Sequence, residues 1–253
     1  MLQIRVIPSL LLKNNGLVKS IKFKNHKYIG DPINAIKIFN DKEVDELVFL
    51  DISATKLGKG PNFKLLSEIA GECFMPLGYG GGISSLSNIE QILKLGFEKV
   101  IINYAAANNP LLIDEAVKEF GTSTIVVSID VKKNMFGKKK VYIQNGSKSV
   151  SQTPIDYAKE MESRGAGEIL LNSIDRDGTM IGYDLELIKN ISSSLQIPLV
   201  ACGGAGKLDD FQSAINTGGA SAVSAGSLFV FNGPNRAVLI NYPSINELEN
   251  LFK

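Results

Sequence analysis

The sequence predicts an α/β fold in which eight parallel strands and their helices close into a single barrel, and three observations lead there. Apolar runs of strand length recur at Ile4 to Leu12, Glu46 to Asp51, Met75 to Tyr79, Lys99 to Asn103, Thr124 to Asp130, Glu168 to Asn172, Ile197 to Cys202 and Ala220 to Ala225. Segments of helical period separate them, such as Asn88 to Leu95 closed by Gly96, and Leu208 to Ile215 ending near Gly218. The length of 253 residues, 44% of them hydrophobic, matches the core of one such barrel. An open doubly wound sheet rarely uses this many uninterrupted units, so the pattern reads as a (β/α)8 TIM barrel.

Taken in order, the chain Met1-Leu2-Gln3-Ile4-Arg5 reaches strand-like sequence at once, which leaves no room for a signal peptide. The first run is followed by a long polar insertion, Lys13 to Gly30, which reads as a mobile lid. His26, the only histidine, lies in it and reads as a solvated loop residue. The second run ends at Asp51, and the third in Gly80-Gly81-Gly82. The fourth ends at Asn103 and the fifth at Asp130, with Ser128 on the same face by the period of two. Lys138-Lys139-Lys140 follows in a turn and reads as a solvated hairpin, not a nucleic-acid patch. The sixth run leads into Ser173-Ile174-Asp175-Arg176-Asp177-Gly178-Thr179-Met180, and the seventh into Cys202-Gly203-Gly204-Ala205-Gly206-Lys207. Loops of small and acidic residues after parallel strands are the rim of a barrel active site. Their glycines let backbone approach an oxyanion, so phosphate binding is the first chemical inference.

The two halves also match at an offset of about 120 residues. Gly60-Pro61-Asn62-Phe63-Lys64-Leu65-Leu66 mirrors Gly182-Tyr183-Asp184-Leu185-Glu186-Leu187-Ile188, and Tyr79-Gly80-Gly81-Gly82 mirrors Cys202-Gly203-Gly204-Ala205. One domain made of two half-barrels, about residues 1–121 and 122–253, should carry two phosphate sites across one mouth. The ligand expected is an elongated bisphosphate or a sugar–nucleotide-like molecule.

Composition excludes other classes. The net charge of +1 favours neither nucleic acid nor an anionic membrane. Cys73 and Cys202 are too few for a disulfide framework, and no Cys/His/carboxylate cluster suggests a metal. No apolar run approaches the roughly 20 residues that span a bilayer. The expectation is a soluble, reduced, cytoplasmic domain without a cofactor.

Six motifs occur in order: Gly30-Asp31-Pro32, Glu46 to Ile52, Gly80-Gly81-Gly82-Ile83, Ser128-Ile129-Asp130, Ser173 to Thr179 and Gly203-Gly204-Ala205-Gly206-Lys207. Together they resemble the HisF-type cyclase subunit of imidazole glycerol phosphate synthase, from Arg5 to about Phe231. The resemblance implies two phosphate sites, a HisH-like glutaminase partner docked on the opposite face, and ammonia delivered through the barrel. It makes Asp130 one of two catalytic aspartates; read from the residues alone, a helix cap or loop hydrogen-bonder is the alternative to a general acid or base. The other aspartate belongs to a Cys-x-Asp-Val-Lys pattern, where this chain has Ser9-Leu10-Leu11-Leu12-Lys13, so Leu11 takes its place. Loss of one member of an acid–base pair removes roughly 10²–10⁴-fold in rate.

By the same resemblance Lys19 binds a phosphate, its alternative being a solvated loop lysine. Gly82 and Asn103 form the first phosphate site, with Tyr104 where the family usually carries threonine. Asp177, Gly178, Gly204, Ala205, Gly206, Gly226 and Ser227 form the second, tight turns being the alternative for some of the glycines. Asp51 and Asn172 are symmetric polar rim positions, Asn172 replacing a usual threonine. Arg5, Glu46, Lys99 and Glu168 begin four strands and so gather at the bottom, where the family has its ammonia gate and an arbitrary barrel would have a salt-bridged lid. Glu98 replaces an aspartate that faces the partner. The tail, Gly233 to Pro243, resembles that of divergent copies associated with bacterial surface polysaccharides. Three functions compete. The first is a divergent subunit passing ammonia to an acetamidino-sugar reaction, with a third protein activating the acceptor amide. The second is the authentic histidine-pathway cyclase, and the third a non-catalytic ammonia conduit.

Overall fold

The computed structural model describes residues 4–253, so Met1, Leu2 and Gln3, read above as the approach to the first strand, lie outside the described residues. Eight parallel strands form the wall: β1 (Arg5–Lys13), β2 (Leu47–Asp51), β3 (Leu77–Gly80), β4 (Lys99–Ile102), β5 (Ile125–Lys133), β6 (Glu168–Ser173), β7 (Leu199–Cys202) and β8 (Ala222–Ala225). Each pairs with the next, and β8 pairs with β1, so the sheet has no free edge. This is the barrel expected.

Three strands start two residues later than the apolar runs suggest, the eighth at Ala222 rather than Ala220. The third begins at Leu77, not Met75, and the seventh at Leu199, not Ile197. For the third and seventh the physical reason is proline. Pro76 and Pro198 have no N–H for the ladder, while their carbonyls accept from Leu47 N and Ile169 N, each at 3.0 Å.

Helices α1 (Pro32–Asp41), α2 (Phe63–Glu72), α3 (Leu86–Lys94), α4 (Leu111–Phe120), α5 (Pro154–Ser163), α6 (Leu185–Ser192) and α7 (Leu208–Asn216) cover the outside, with α8 (Ile245–Phe252) at the end of the chain. Their apolar stripes bury residues such as Phe39, Ile69, Ile92, Ile113, Met161, Ile191 and Phe211 against the outward faces of the strands. Among the described residues, no helix is long and apolar enough to cross a membrane.

The sequence repeat recurs as repeated capping geometry. Asn62 caps α2 at φ −83°, ψ 82° and accepts from Leu65 N; Asp184 caps α6 at φ −81°, ψ 81° and accepts from Leu187 N. Ser85 and Lys207 precede α3 and α7 at φ −152° and −153°. Short helices, Tyr104–Asn108 and Ser227–Val230, follow β4 and β8, entered through Asn103 at φ −119° and Gly226 at φ −117°.

The insertion after β1 departs from expectation. Lys13 to Gly30 is not an open polar loop but an antiparallel hairpin, in which Gly16–Ile21 pairs with β1 and with Lys24–Gly30. The inner strand is covered on both faces and the outer one is open: Leu17, Val18, Lys19 and Ser20 are all buried, while Lys22, Lys24, Asn25 and Lys27 face water. A second hairpin follows β5, as anticipated, but its turn is at residues 134–137, and Lys139 and Lys140 lie in the strand Lys139–Ile143 that pairs antiparallel with β5. Lys139, however, is paired rather than solvated, lying 3.0 Å from both Asp184 and Glu186.

Candidate active site at the barrel mouth

Period-two alternation stacks side chains in layers inside the wall. At the floor are Arg5 of β1, Glu46 just before β2, Lys99 of β4 and Glu168 of β6. Arg5 Nη1 donates to Glu46 Oε2 at 2.5 Å and its Nη2 donates to Glu168 Oε1; Lys99 Nζ donates to Glu46 Oε2 at 3.1 Å and to Glu168 Oε2 at 2.8 Å. The four charges form a closed alternating ring. Both glutamates are buried, whereas Arg5 and Lys99 remain partly open to water. Exposed Glu98 stands beside Lys99 on the same end of the barrel.

Two residues further along each strand the interior turns apolar, with Ile7, Val48, Ile101, Val126, Leu170, Val200 and Ala222 in one cluster. Two residues further again stand Ser9, Leu50, Asn103, Ser128, Asn172 and Cys202, which line a cavity of about 1000 Å³, its opening included. Leu11 and Asp130 come next, facing the same space.

Asp130 is buried, and its carboxylate accepts from Asn103 Nδ2 at 3.3 Å and Asn172 Nδ2 at 3.4 Å. Burial pushes its pKa up to about 7, opposed by the Asn172 hydrogen bond and reinforced by the negative charge of Asp177. Asn172 Oδ1 is buried without a donor among the described residues, as befits a site for a donor on a ligand. Asp51 lines the same cavity, but its Oδ1 is taken by Ser53 N at 2.8 Å, Ser53 Oγ at 2.7 Å and Ala54 N at 3.0 Å. It is a turn-holding residue as well as a rim residue, unlike Asn172.

Lys19 is not a solvated loop lysine. The hairpin carries it into the wall, where it is buried, and Nζ donates to Ser9 O at 2.5 Å. Loss of water lowers its pKa to about 8, against the attraction of Asp177. Asp177 in turn accepts from Ser20 Oγ at 3.0 Å, and burial moves its carboxyl upward, opposed first by Lys19.

The glycines divide by role. Gly82 N donates to Thr55 Oγ1 at 3.3 Å, and Gly206 N donates to Asp210 Oδ2 at 2.8 Å as part of the start of α7, so these amides have protein acceptors. Gly206 is thus part of the helix cap as well as of the loop after β7. Gly178 sits at φ 70° with the Ser20 carbonyl where a side chain would be, and Gly226 packs against the end of Lys19. Gly178, Gly204, Ala205, Gly226 and Ser227 do not wall the central cavity; Gly226 packs on Lys19 and Gly178 follows Asp177, and Lys19 and Asp177 do line it.

Some wall residues carried no signal in the sequence. Phe23, Thr55, Gln144 and Asn145 reach the mouth from loops and hairpins. So does His26, exposed yet part of the cavity wall rather than a loop residue remote from it; partial burial lowers its pKa, with Lys13 the next cause.

Comparison with known proteins bears on this arrangement. The family described as histidine biosynthesis protein matches residues 5–234. A protein of Pseudomonas aeruginosa provisionally named imidazole glycerol phosphate synthase subunit hisF2 is 52% identical over 249 residues, covering 98% of this chain and 99% of its own. One from Vibrio vulnificus, provisionally named as subunit hisF3, is 49% identical over 98% of this chain and 95% of its own. The imidazole glycerol phosphate synthase subunit HisF of Alkaliphilus metalliredigens is 40% identical over 90% of each chain.

Proposed function

Because this chain belongs to the histidine biosynthesis protein family, as a HisF-type cyclase subunit of imidazole glycerol phosphate synthase, we propose that it joins ammonia to a phosphorylated substrate held over Asp130. One observation carries the reading. A ring of four charges closes the floor, an apolar layer follows, and a buried carboxyl stands at the far end of the same interior. Neutral ammonia crosses an apolar layer at far lower cost than ammonium, so this interior passes the reactive form and holds back the inert one. A HisH-like glutaminase docked on the floor side, against Glu98, would supply it. The partly exposed Arg5 and Lys99 are the members of the ring able to swing aside.

At the mouth, Asp130 can hold or release a proton near neutral pH, which suits general acid–base work. Asn103 and Asn172 hold its two oxygens, and the phosphate-bearing ends of the substrate lie at Gly82 with Asn103 and at Asp177 to Ser227. Leu11 puts an apolar side chain where a second acid or base would stand. The acceptor is therefore not the family's ring-closing substrate. An N-acetyl sugar converted to its acetamidino form, with a third protein activating the amide oxygen as a leaving group, fits a pocket with one carboxyl. The numbered names of relatives at about half identity fit a divergent copy.

The test is production of imidazole glycerol phosphate from the ribulosyl aminoimidazole carboxamide nucleotide and ammonium salt by this chain alone. No turnover is expected from folded protein. Turnover with kcat of roughly 1–10³ per second would make this the authentic histidine-pathway enzyme, working with Asp130 alone.

A further inference from the structure

The C-terminal half carries an element that the N-terminal half lacks. After the short helix Tyr104–Asn108 the chain passes almost directly into α4, whereas after Ser227–Val230 it forms a hairpin in which Phe231–Asn232 pairs with Ala237–Val238. The turn ends at Arg236, whose backbone is left-handed at φ 51°. A glycine or asparagine would hold that conformation at less cost, so backbone geometry does not account for an arginine there.

The side chain does. The Arg236 guanidinium lies over the Phe231 ring, 4.7 Å from its centre, and Nη2 donates to Gly178 O at 2.8 Å and to Ser227 Oγ at 3.4 Å. Lys27, from the hairpin after β1, stands over the same ring at 5.3 Å and donates to Arg236 O at 3.1 Å. Three loops thus meet at one cation: the Asp177–Gly178 loop after β6, Gly226–Ser227 after β8, and the hairpin after β1. Nε and Nη1 donate to no protein group among the described residues, and the guanidinium is only partly buried. Buried Lys19 approaches Gly226 as well, so Gly226 and Ser227 are bracketed by two cations.

We propose that Arg236 is an anion-binding residue of the mouth, its guanidinium taking one phosphate of the substrate against Gly178 and Ser227. Gly178 O and Ser227 Oγ take the two protons of Nη2, so the donors left for a phosphate are Nε and Nη1, each able to give a charge-assisted hydrogen bond to one oxygen. With no counterpart hairpin in the other half, the two ends of the mouth are unequal, and a substrate with two different phosphate-bearing ends binds one way round. The inference rests on the reading of Asp177 to Ser227 as a phosphate site.

Calorimetric titration of the whole chain with inorganic phosphate and with glycerol 3-phosphate tests it, glycerol serving as the uncharged control. Wild type is expected to bind both anions and not glycerol. Arg236→Ala should weaken the anions by about tenfold or more, and Arg236→Lys by less, since an ammonium keeps the attraction but loses the planar group's stacking on Phe231 and its spread of donors. Should Arg236→Ala prove unfolded, Arg236→Lys and Arg236→Gln, with the unliganded Tm checked first, carry the comparison. Wild-type binding with affinities unchanged in the variants overturns the assignment of Arg236 alone. No anion binding by wild type overturns the phosphate site and this proposal with it.

Discussion

At Asp130 the barrel holds a carboxyl where water scarcely reaches, and its charge depends on that. Its folded-state pKa of about 7 lies above the ordinary 3.8, so the folded protein holds the proton more tightly than the unfolded chain. Below pH 3.8 the group adds no penalty; the penalty grows as pH rises and is complete above 7. Asp130→Asn is expected to raise Tm over wild type by on the order of 10 °C more at pH 8 than at pH 4. Equal shifts at both values, followed by calorimetry, would show the carboxyl to be solvated. Ser128 and Asp130 were legible because a strand alternates, and one residue's direction gives its neighbour's. Lys19 was not. A polar insertion reads the same whether it waves in solvent or pairs back on the wall, and only pairing with β1 buries that lysine. Gly178→Ala is expected to cost about 2 kcal/mol or more, because a Cβ at φ 70° meets the Ser20 carbonyl of that hairpin. Chemical denaturation would reveal it, and a neutral outcome would mean that the hairpin gives way.

Among the elements, the starts of β1, β4 and β6 and the residue before β2 place the charge ring. Lys99→Ala leaves Glu46 and Glu168 with Arg5 as their one remaining partner in the ring. Since Lys99 is partly open to water, a loss of about 1–3 kcal/mol is expected, below the 3–5 typical of a fully buried pair. If the ring gates ammonia, the same variant should also turn over glutamine out of step with product in the assembled complex. A loss of stability with coupling intact would leave the ring a structural lid. The four charges could be grouped from sequence because each begins an apolar run, and parallel strands all start at one end. The tail hairpin could not be placed that way. Its few apolar residues show no period, and contact with Phe231, Lys27 and Gly178 comes from chain segments far apart.

For the whole molecule, two halves with matching caps predict two anion sites across one mouth. An elongated bisphosphate should therefore raise Tm more than the same concentration of a monophosphate of equal charge, as thermal unfolding would record. Equal gains would mean that one end binds alone. The barrel, its strand ends and its floor were all readable in the residues, because periodicity and apolar runs are local properties and closure of eight parallel units leaves little choice of topology. Asp130, Asn103 and Asn172 could be assigned to the mouth for the same reason. The burial of Lys19, the use of Gly82 and Gly206 amides by Thr55 and Asp210, the engagement of Asp51 by its own turn, and the position of Arg236 were decided only by tertiary structure. Each depends on which distant groups a loop meets, and a loop's path follows hydrogen bonds and packing that no period in its own sequence records.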